Sequence, residues 1–154
     1  MRTVNLRRLL VAGAAVLVLA AASEGGRAAA LAAGEGFIQV PGGPVWYRVF
    51  GSGSNTPLLM LHGGPGGSSC NFEPLATLVS AHRPVVVYDQ LGGGRSGRPM
   101  DRNLWTLERS LEEVAAVRHS LGLGAIHLMG SSWGAALAAD YAIKTDSRGL
   151  RSLI

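Results

Sequence analysis

A serine set between glycines is the first residue in this chain that could do covalent chemistry. Gly130-Ser131-Ser132-Trp133-Gly134 reads G-x-S-x-G; it follows an apolar run, Ala125 to Met129, and opens an Ala-rich stretch, Trp133 to Lys144. A strand that turns sharply into a helix stands the central serine at its tip, hydroxyl exposed and backbone strained. Side chains at the flanking positions would collide there, which accounts for Gly130 and Gly134. The helix that follows aims its positive end at charge developing on an attacked carbonyl. Ser132 is therefore the candidate nucleophile for acyl transfer. The bland alternative is a chance match in a chain with 22 glycines. Strand, turn and helix in the required order argue against it.

A second glycine-rich turn, His62-Gly63-Gly64-Pro65-Gly66, ends another short apolar run, Leu58 to Leu61. Such a turn brings backbone N–H groups close to a bound carbonyl. The N–H groups of Gly64 and Trp133 would then form an oxyanion hole for the tetrahedral intermediate. Taken alone, this segment is equally a plain Gly/Pro turn; the serine elbow about 70 residues later favours the functional reading. A third loop, opened by Asp89-Gln90 and carrying Gly92, Gly93, Gly94 and Gly97, closes the apolar run Val85 to Tyr88.

These loops need elements to hold them. Phe37–Val40 and Val45–Phe50 read as short strands around a turn at Pro41-Gly42-Gly43-Pro44. Gly51 to Pro57 is a polar loop, and Glu73 to Ala81 fits a short helix. Thr106 caps a helix running through Leu121, with Leu107, Leu111, Val114, Ala115 and Leu121 on one face. Glu108 suits its first turn, Arg109 reaches Glu113 at i+4, and Gly122 ends it. Leu150 to Ile154 opens a further strand. Fully apolar strands alternating with amphipathic helices predict an α/β fold, a mostly parallel sheet covered on both faces.

Composition excludes several classes. The chain has 154 residues, 47% apolar and 16% charged, which rules out disorder. One cysteine, Cys70, rules out a disulfide framework and a Cys-rich zinc site, and it is expected buried or half-buried. The net charge of +4 is uneven. Residues 1–33 hold four Arg against one Glu, whereas residues 34–154 hold ten basic and nine acidic side chains. The near-neutral remainder has no basic stripe and no reason to bind nucleic acid.

Arg2, Arg7 and Arg8 precede a 14-residue uncharged run, Leu9 to Ala22, and then small residues with Ala28-Ala29-Ala30 as a cleavage candidate. That pattern predicts a signal peptide over residues 1–33, cut near Ala30, and a secreted or periplasmic product over residues 34–154. The run is short for a spanning helix, so no stable membrane anchor is expected after cleavage, an uncleaved anchor being the alternative. The Arg7-Arg8 pair is weak support for twin-arginine export.

Three stretches together carry a resemblance: Leu61-His62-Gly63-Gly64-Pro65-Gly66, Tyr88-Asp89-Gln90-Leu91-Gly92-Gly93-Gly94-Arg95-Ser96 and Gly130-Ser131-Ser132-Trp133-Gly134. In that order and spacing the chain resembles an α/β-hydrolase of the proline iminopeptidase type, over essentially all of residues 34–154. The resemblance implies a serine hydrolase that releases an N-terminal residue, often proline, from peptides through an acyl-enzyme. It implies no metal and no cofactor. His62, Gly63, Pro65, Gly66, Asp89, Gln90, Gly130 and Gly134 then support the site. Asp89 precedes the serine, whereas the family's acid follows it, so Asp89 ties the loop rather than serving a triad. Leu91 stands where many members carry Arg, and Ser131 where many carry Gly. Esters, lactones or amino-acid amides are alternative substrates, and a non-catalytic hydrolase fragment is an alternative role.

A serine needs a base and an orienting acid. His62, His82, His119 and His127 all precede Ser132 and read as structural. Only Asp140 and Asp146 follow it among the carboxylates, on or just past the next helix, with no His. The triad His and Asp are thus expected to lie outside this chain. The expectation is an N-terminal portion of a longer hydrolase, ending after about the sixth strand, without a cap domain and inactive as written.

Overall fold

A computed structural model of the chain describes residues 30–154. The export segment expected over residues 1–33 lies, up to residue 29, outside the described residues. Leu31 pairs with Gly53 in an isolated antiparallel bridge.

Six strands form one sheet in the order β1-β2-β4-β3-β5-β6. They are β1 (Gly34–Val40), β2 (Gly43–Phe50), β3 (Leu58–Leu61), β4 (Val85–Tyr88), β5 (Ile126–Gly130) and β6 (Leu150–Leu153). The β1–β2 hairpin joins antiparallel, and β4, β3, β5 and β6 run parallel. Three α-helices connect them: α1 (Glu73–Val79), α2 (Leu107–Ser120) and α3 (Trp133–Lys144). The expected mostly parallel α/β sheet with helices on both faces is what the chain forms.

The two-residue period of a strand sorts the core. Leu59, Leu61, Val86, Tyr88, Ile126 and Leu128 point to one face and meet Leu111, Val114 and Val117 of α2 and Leu137, Ala138 and Tyr141 of α3. Leu58, Met60, Val85 and Val87 point the other way and meet Phe72 and Ala76, at and within α1. Strands β3 and β4 are buried at every residue, so their unbroken apolar runs are required by helices on both sides.

Local chemistry sets the boundaries. The Thr106 side chain accepts a hydrogen bond from the Arg109 N–H, the N-cap expected for α2. The hairpin turn is tighter than expected: Gly43 and Pro44 pair within β2, leaving Pro41-Gly42 as the turn. Gly42 has φ 104°, and a Cβ there would lie 2.7 Å from a Leu91 methyl, so only glycine lets the hairpin close against Leu91. α1 ends at Val79, two residues early, where the Ser80 hydroxyl donates to the Thr77 carbonyl.

Cys70 corrects the sequence reading: it is exposed, not buried. A 3-10 turn at Ser69–Phe72 precedes α1. Residues three apart share a face of such a turn, so Ser69 and Phe72 go inward and Cys70 outward. Among the described residues no helix is long and apolar enough to cross a membrane.

Candidate active site

The serine elbow joins β5 to α3. Ser132 has φ 54° and ψ −121°, a conformation non-glycine residues adopt only when the surroundings hold it. Those surroundings are backbone. A Cβ on Gly134 would fall on the Leu61 and His62 carbonyl oxygens, and one on Gly130 would fall on the Gly134 carbonyl. The Ser131 N–H donates to the Leu61 carbonyl at 3.1 Å, stitching the elbow to the end of β3. Ser132 occupies the N-cap of α3, yet its side chain makes no capping bond and the residue is exposed. A serine at that position ordinarily spends its oxygen on the helix; this one keeps it free.

The glycine turn lies alongside. A Cβ on Gly63 would sit 3.7 Å from the Ser132 hydroxyl oxygen and 3.1 Å from its Cβ, so the turn runs tight against the serine. Gly64 has φ 110°, and the Gly64–Pro65 peptide is cis. Among the described residues neither the Gly64 nor the Trp133 N–H donates to a backbone carbonyl.

Gln90 locks the three loops together. Its side-chain amide donates to the His62 carbonyl at 2.8 Å, and its amide oxygen accepts from the Trp133 indole N–H at 2.9 Å. Its backbone N–H donates to His62 Nε2 at 2.8 Å. That bond makes Nε2 an acceptor, so the ring proton sits on Nδ1, which donates to the Gly63 carbonyl at 2.8 Å. Both His62 nitrogens are thereby spent. Burial lowers the His62 pKa, against the Gly63 carbonyl and Asp89, which raise it.

Asp89 is a tie and nothing more exposed than that. Its carboxylate accepts from the Ser69 N–H at 2.7 Å, the Ser69 hydroxyl at 2.8 Å and the Arg95 N–H at 2.8 Å. Ser96 closes the loop from the other side: its hydroxyl donates to the Asp89 carbonyl and accepts from the Trp46 N–H. The remaining histidines lie elsewhere. His82 is exposed in the turn before β4, His119 is exposed on α2, and His127 on β5 bonds the Ser152 hydroxyl at 2.8 Å. Asp140 sits eight residues along α3 from Ser132, about 12 Å at the helical rise, and Asp146 lies beyond the helix. Among the described residues no group of three or more His, Cys, Asp or Glu is placed to hold a metal ion.

Three residues near the elbow had no functional reading from sequence. Arg109 and Glu113 were legible only as a helix-surface pair, yet both are buried and paired directly behind the Asp-Gln loop. Glu113 also accepts from the Leu91 N–H. Burial raises its carboxyl, and the Arg109 guanidinium opposes that rise. Trp105 lies over Gly92, and its one sequence signal was its place before the capping Thr106.

The chain matches the model of the α/β hydrolase fold family over residues 56–152. A proline iminopeptidase of Heyndrickxia coagulans is 48% identical over 121 residues, covering 78% of this chain and 41% of the relative. The crystal structure of a proline iminopeptidase of Mycobacterium smegmatis aligns with TM-score 0.70 at 32% identity, covering 78% of this chain and 42% of that one. The crystal structure of VinJ aligns with TM-score 0.72 at 34% identity over the same shares. The chain thus spans about two fifths of the length of the relatives it matches. With a strained serine elbow at the tip of β5, a parallel sheet between helices and a family match over most of its length, the chain belongs to the α/β hydrolase fold family.

Proposed function

We propose that Ser132 is the nucleophile of a serine hydrolase of the proline iminopeptidase type. It would attack the carbonyl of an N-terminal residue and form an acyl-enzyme, with the Gly64 and Trp133 N–H groups holding the oxyanion. The observation that carries this reading is the Ser132 backbone itself. A serine at φ 54°, exposed at the head of a helix it does not cap, is a strained arrangement with no structural return. The likeness to proline iminopeptidases supports the substrate class.

No histidine of this chain can serve as base. His62 has both nitrogens engaged, and His82, His119 and His127 lie away from the elbow. In this reading the base and its orienting acid are supplied by the segment that the relatives carry beyond the matched two fifths. The basic and then apolar start of the chain supports export of the product.

A chimera tests the whole: residues 34–154 joined to the remaining three fifths of the Heyndrickxia coagulans relative, assayed on proline β-naphthylamide and on p-nitrophenyl acetate. The proline amide is expected to be cleaved preferentially, and Ser132→Ala to lower kcat roughly 10⁴-fold or more. Preference for the ester would favour a general ester or amide hydrolase. A chimera that folds but turns over neither substrate would leave a non-catalytic domain.

A further inference from the structure

The near-neutral charge of residues 34–154 conceals a division that the fold creates. Strands β4, β3, β5 and β6 run parallel, so the segments entering them all lie at the end opposite Ser132. Those segments, the start of β6, the last turn of α2 and the second half of α3 carry Arg83, Arg118, Lys144, Arg148 and Arg151 against Asp140 and Asp146. The loops at the elbow end, α1 and the first half of α2 hold Arg95, Arg98, Arg102 and Arg109 against Glu73, Asp89, Asp101, Glu108, Glu112 and Glu113. Arg48 stands opposite Glu35 in the hairpin. Both ion pairs among the described residues, Arg95 with Glu73 and Arg109 with Glu113, belong to the elbow end. At the far end Arg83 and Arg118 donate to the Thr56 and Gly124 carbonyls, which orients them without cancelling their charge. Lys144, Arg148 and Arg151 are exposed.

Two further features converge on this end. Leu78 and Ile143, one residue from the ends of α1 and α3, are 73% and 78% exposed. Leu31 pairs with Gly53, in the loop between β2 and β3, and packs against the core there. The stretch with Arg2, Arg7, Arg8 and the apolar run Leu9 to Ala22 therefore precedes a residue held at this same end.

We propose that this end of the molecule docks on an anionic lipid surface, with Lys144, Arg148 and Arg151 meeting headgroup phosphates and Leu78 and Ile143 entering the acyl boundary. Cations at such a surface and aliphatic side chains at its boundary add their contributions. A nucleic acid would use the cations and leave both aliphatic side chains in water. Docked this way, the serine elbow stands off the surface by the length of β5, about 15 Å. The docking does not depend on the role of Ser132.

The full chain is titrated with vesicles of phosphatidylcholine alone and of an equal mixture with phosphatidylglycerol, and binding is read by cosedimentation. Two charge-matched double variants separate the ends: Arg148→Gln with Arg151→Gln, and Arg98→Gln with Arg102→Gln. The first pair should weaken binding to the mixed vesicles about tenfold or more, and the second should leave it within about twofold of the parent. Leu78→Ser with Ile143→Ser should weaken it about fivefold or more at unchanged net charge. All six substituted side chains are exposed, so the fold should survive, which unchanged urea midpoints check. Equal weakening by the two arginine pairs would mean diffuse attraction without a face. No weakening by either would assign the binding to residues outside this face. Equal affinity for the two vesicles would remove recognition of lipid charge. A duplex DNA bound more tightly than the mixed vesicles, and weakened by the Arg148 and Arg151 pair alone, would make this end a nucleic-acid site. Each of these outcomes overturns the proposal, whether or not the chimera hydrolyses its substrate.

Discussion

The loop seam and the β6 edge of this molecule are held by opposite means. At the tips of β3, β4 and β5 bare backbone and buried polar side chains meet: Gly134 against the Leu61 carbonyl, Gly63 against Ser132, the Gln90 side chain bonded to both His62 and Trp133. At the β6 side the chain is held by one strand neighbour and by partial burial, and Ile143, Leu153 and Ile154 are 78%, 49% and 62% exposed. The seam is fixed by shape and polar pairing, so a single atom in the wrong place is costly there. The edge is fixed mainly by its backbone, with Leu150 and Ser152 turned inward, so its outward side chains are free to change. Substitutions in the two regions should therefore differ sharply for similar changes in size.

The largest effect is expected from Gly134→Ala. One methyl group would fall on two carbonyl oxygens at the end of β3, and neither belongs to a flexible side chain. Overpacking against rigid backbone predicts a loss of about 3 kcal/mol. Urea denaturation checks it, with a lower midpoint at unchanged m. A loss below about 1 kcal/mol would show that the seam yields, and would weaken the contrast with the edge.

Asp89→Ala comes next. It leaves the buried Ser69 N–H and hydroxyl, and the Arg95 N–H, without their acceptor. Unpaired buried donors predict a loss of about 2 to 3 kcal/mol. The Ser69→Ala change removes one of these bonds and should cost about 1 kcal/mol in the same titration. Equal losses for the two would mean that the loop relaxes and re-pairs with water.

Much of this seam was legible beforehand, for reasons specific to its residues. Glycines that admit no side chain leave a pattern, and so does a serine on a tight turn; Gly130, Ser132 and Gly134 form the strand-to-helix turn that the spacing predicted. Unbroken apolar runs exposed β3 and β4, and the capping Thr106 marked α2 within a residue. Partnerships across loops were not legible. That Gln90 spans from His62 to Trp133, or that Arg109 and Glu113 turn inward, depends on how α2 packs, which no spacing along the chain encodes. Cys70 was misjudged because apolar character does not tell which side of a 3-10 turn a residue takes.

Acid should loosen the seam through His62. His62 accepts a hydrogen bond at Nε2, so a proton there breaks the bond from the Gln90 N–H. Its folded pKa is lowered by burial, so between that value and the ordinary imidazole value of about 6.5 the unfolded chain binds more protons. The sign follows: stability is full above about pH 6.5 and falls as the pH drops below it. Urea midpoints from pH 8 to pH 5 measure the slope. His127 also has a lowered pKa, from burial and the nearby Arg83 and Arg151, and buried Glu113 a raised one of opposite sign, so the series is run in a His127→Asn variant with and without His62→Asn. The same slope with and without His62 would mean that His62 is already open to solvent in the folded state.

The smallest effect belongs to the residue where the two regions touch. The Ile154 N–H donates to the Leu128 carbonyl at 2.9 Å, and its carbonyl accepts from the Gly130 N–H at 3.0 Å, beside the elbow. Its side chain is exposed just past β6, next to exposed Leu153, where apolar groups invite association between copies. Ile154→Lys keeps both backbone bonds and replaces only that side chain. Stability should change by no more than about 0.5 kcal/mol, as for exposed positions generally. Self-association, followed by light scattering against concentration, should fall because charge breaks up an exposed apolar patch. A large loss of stability would mean that the side chain helps hold the elbow. The edge would then be part of the seam, and the division between the two would move to the far side of β6.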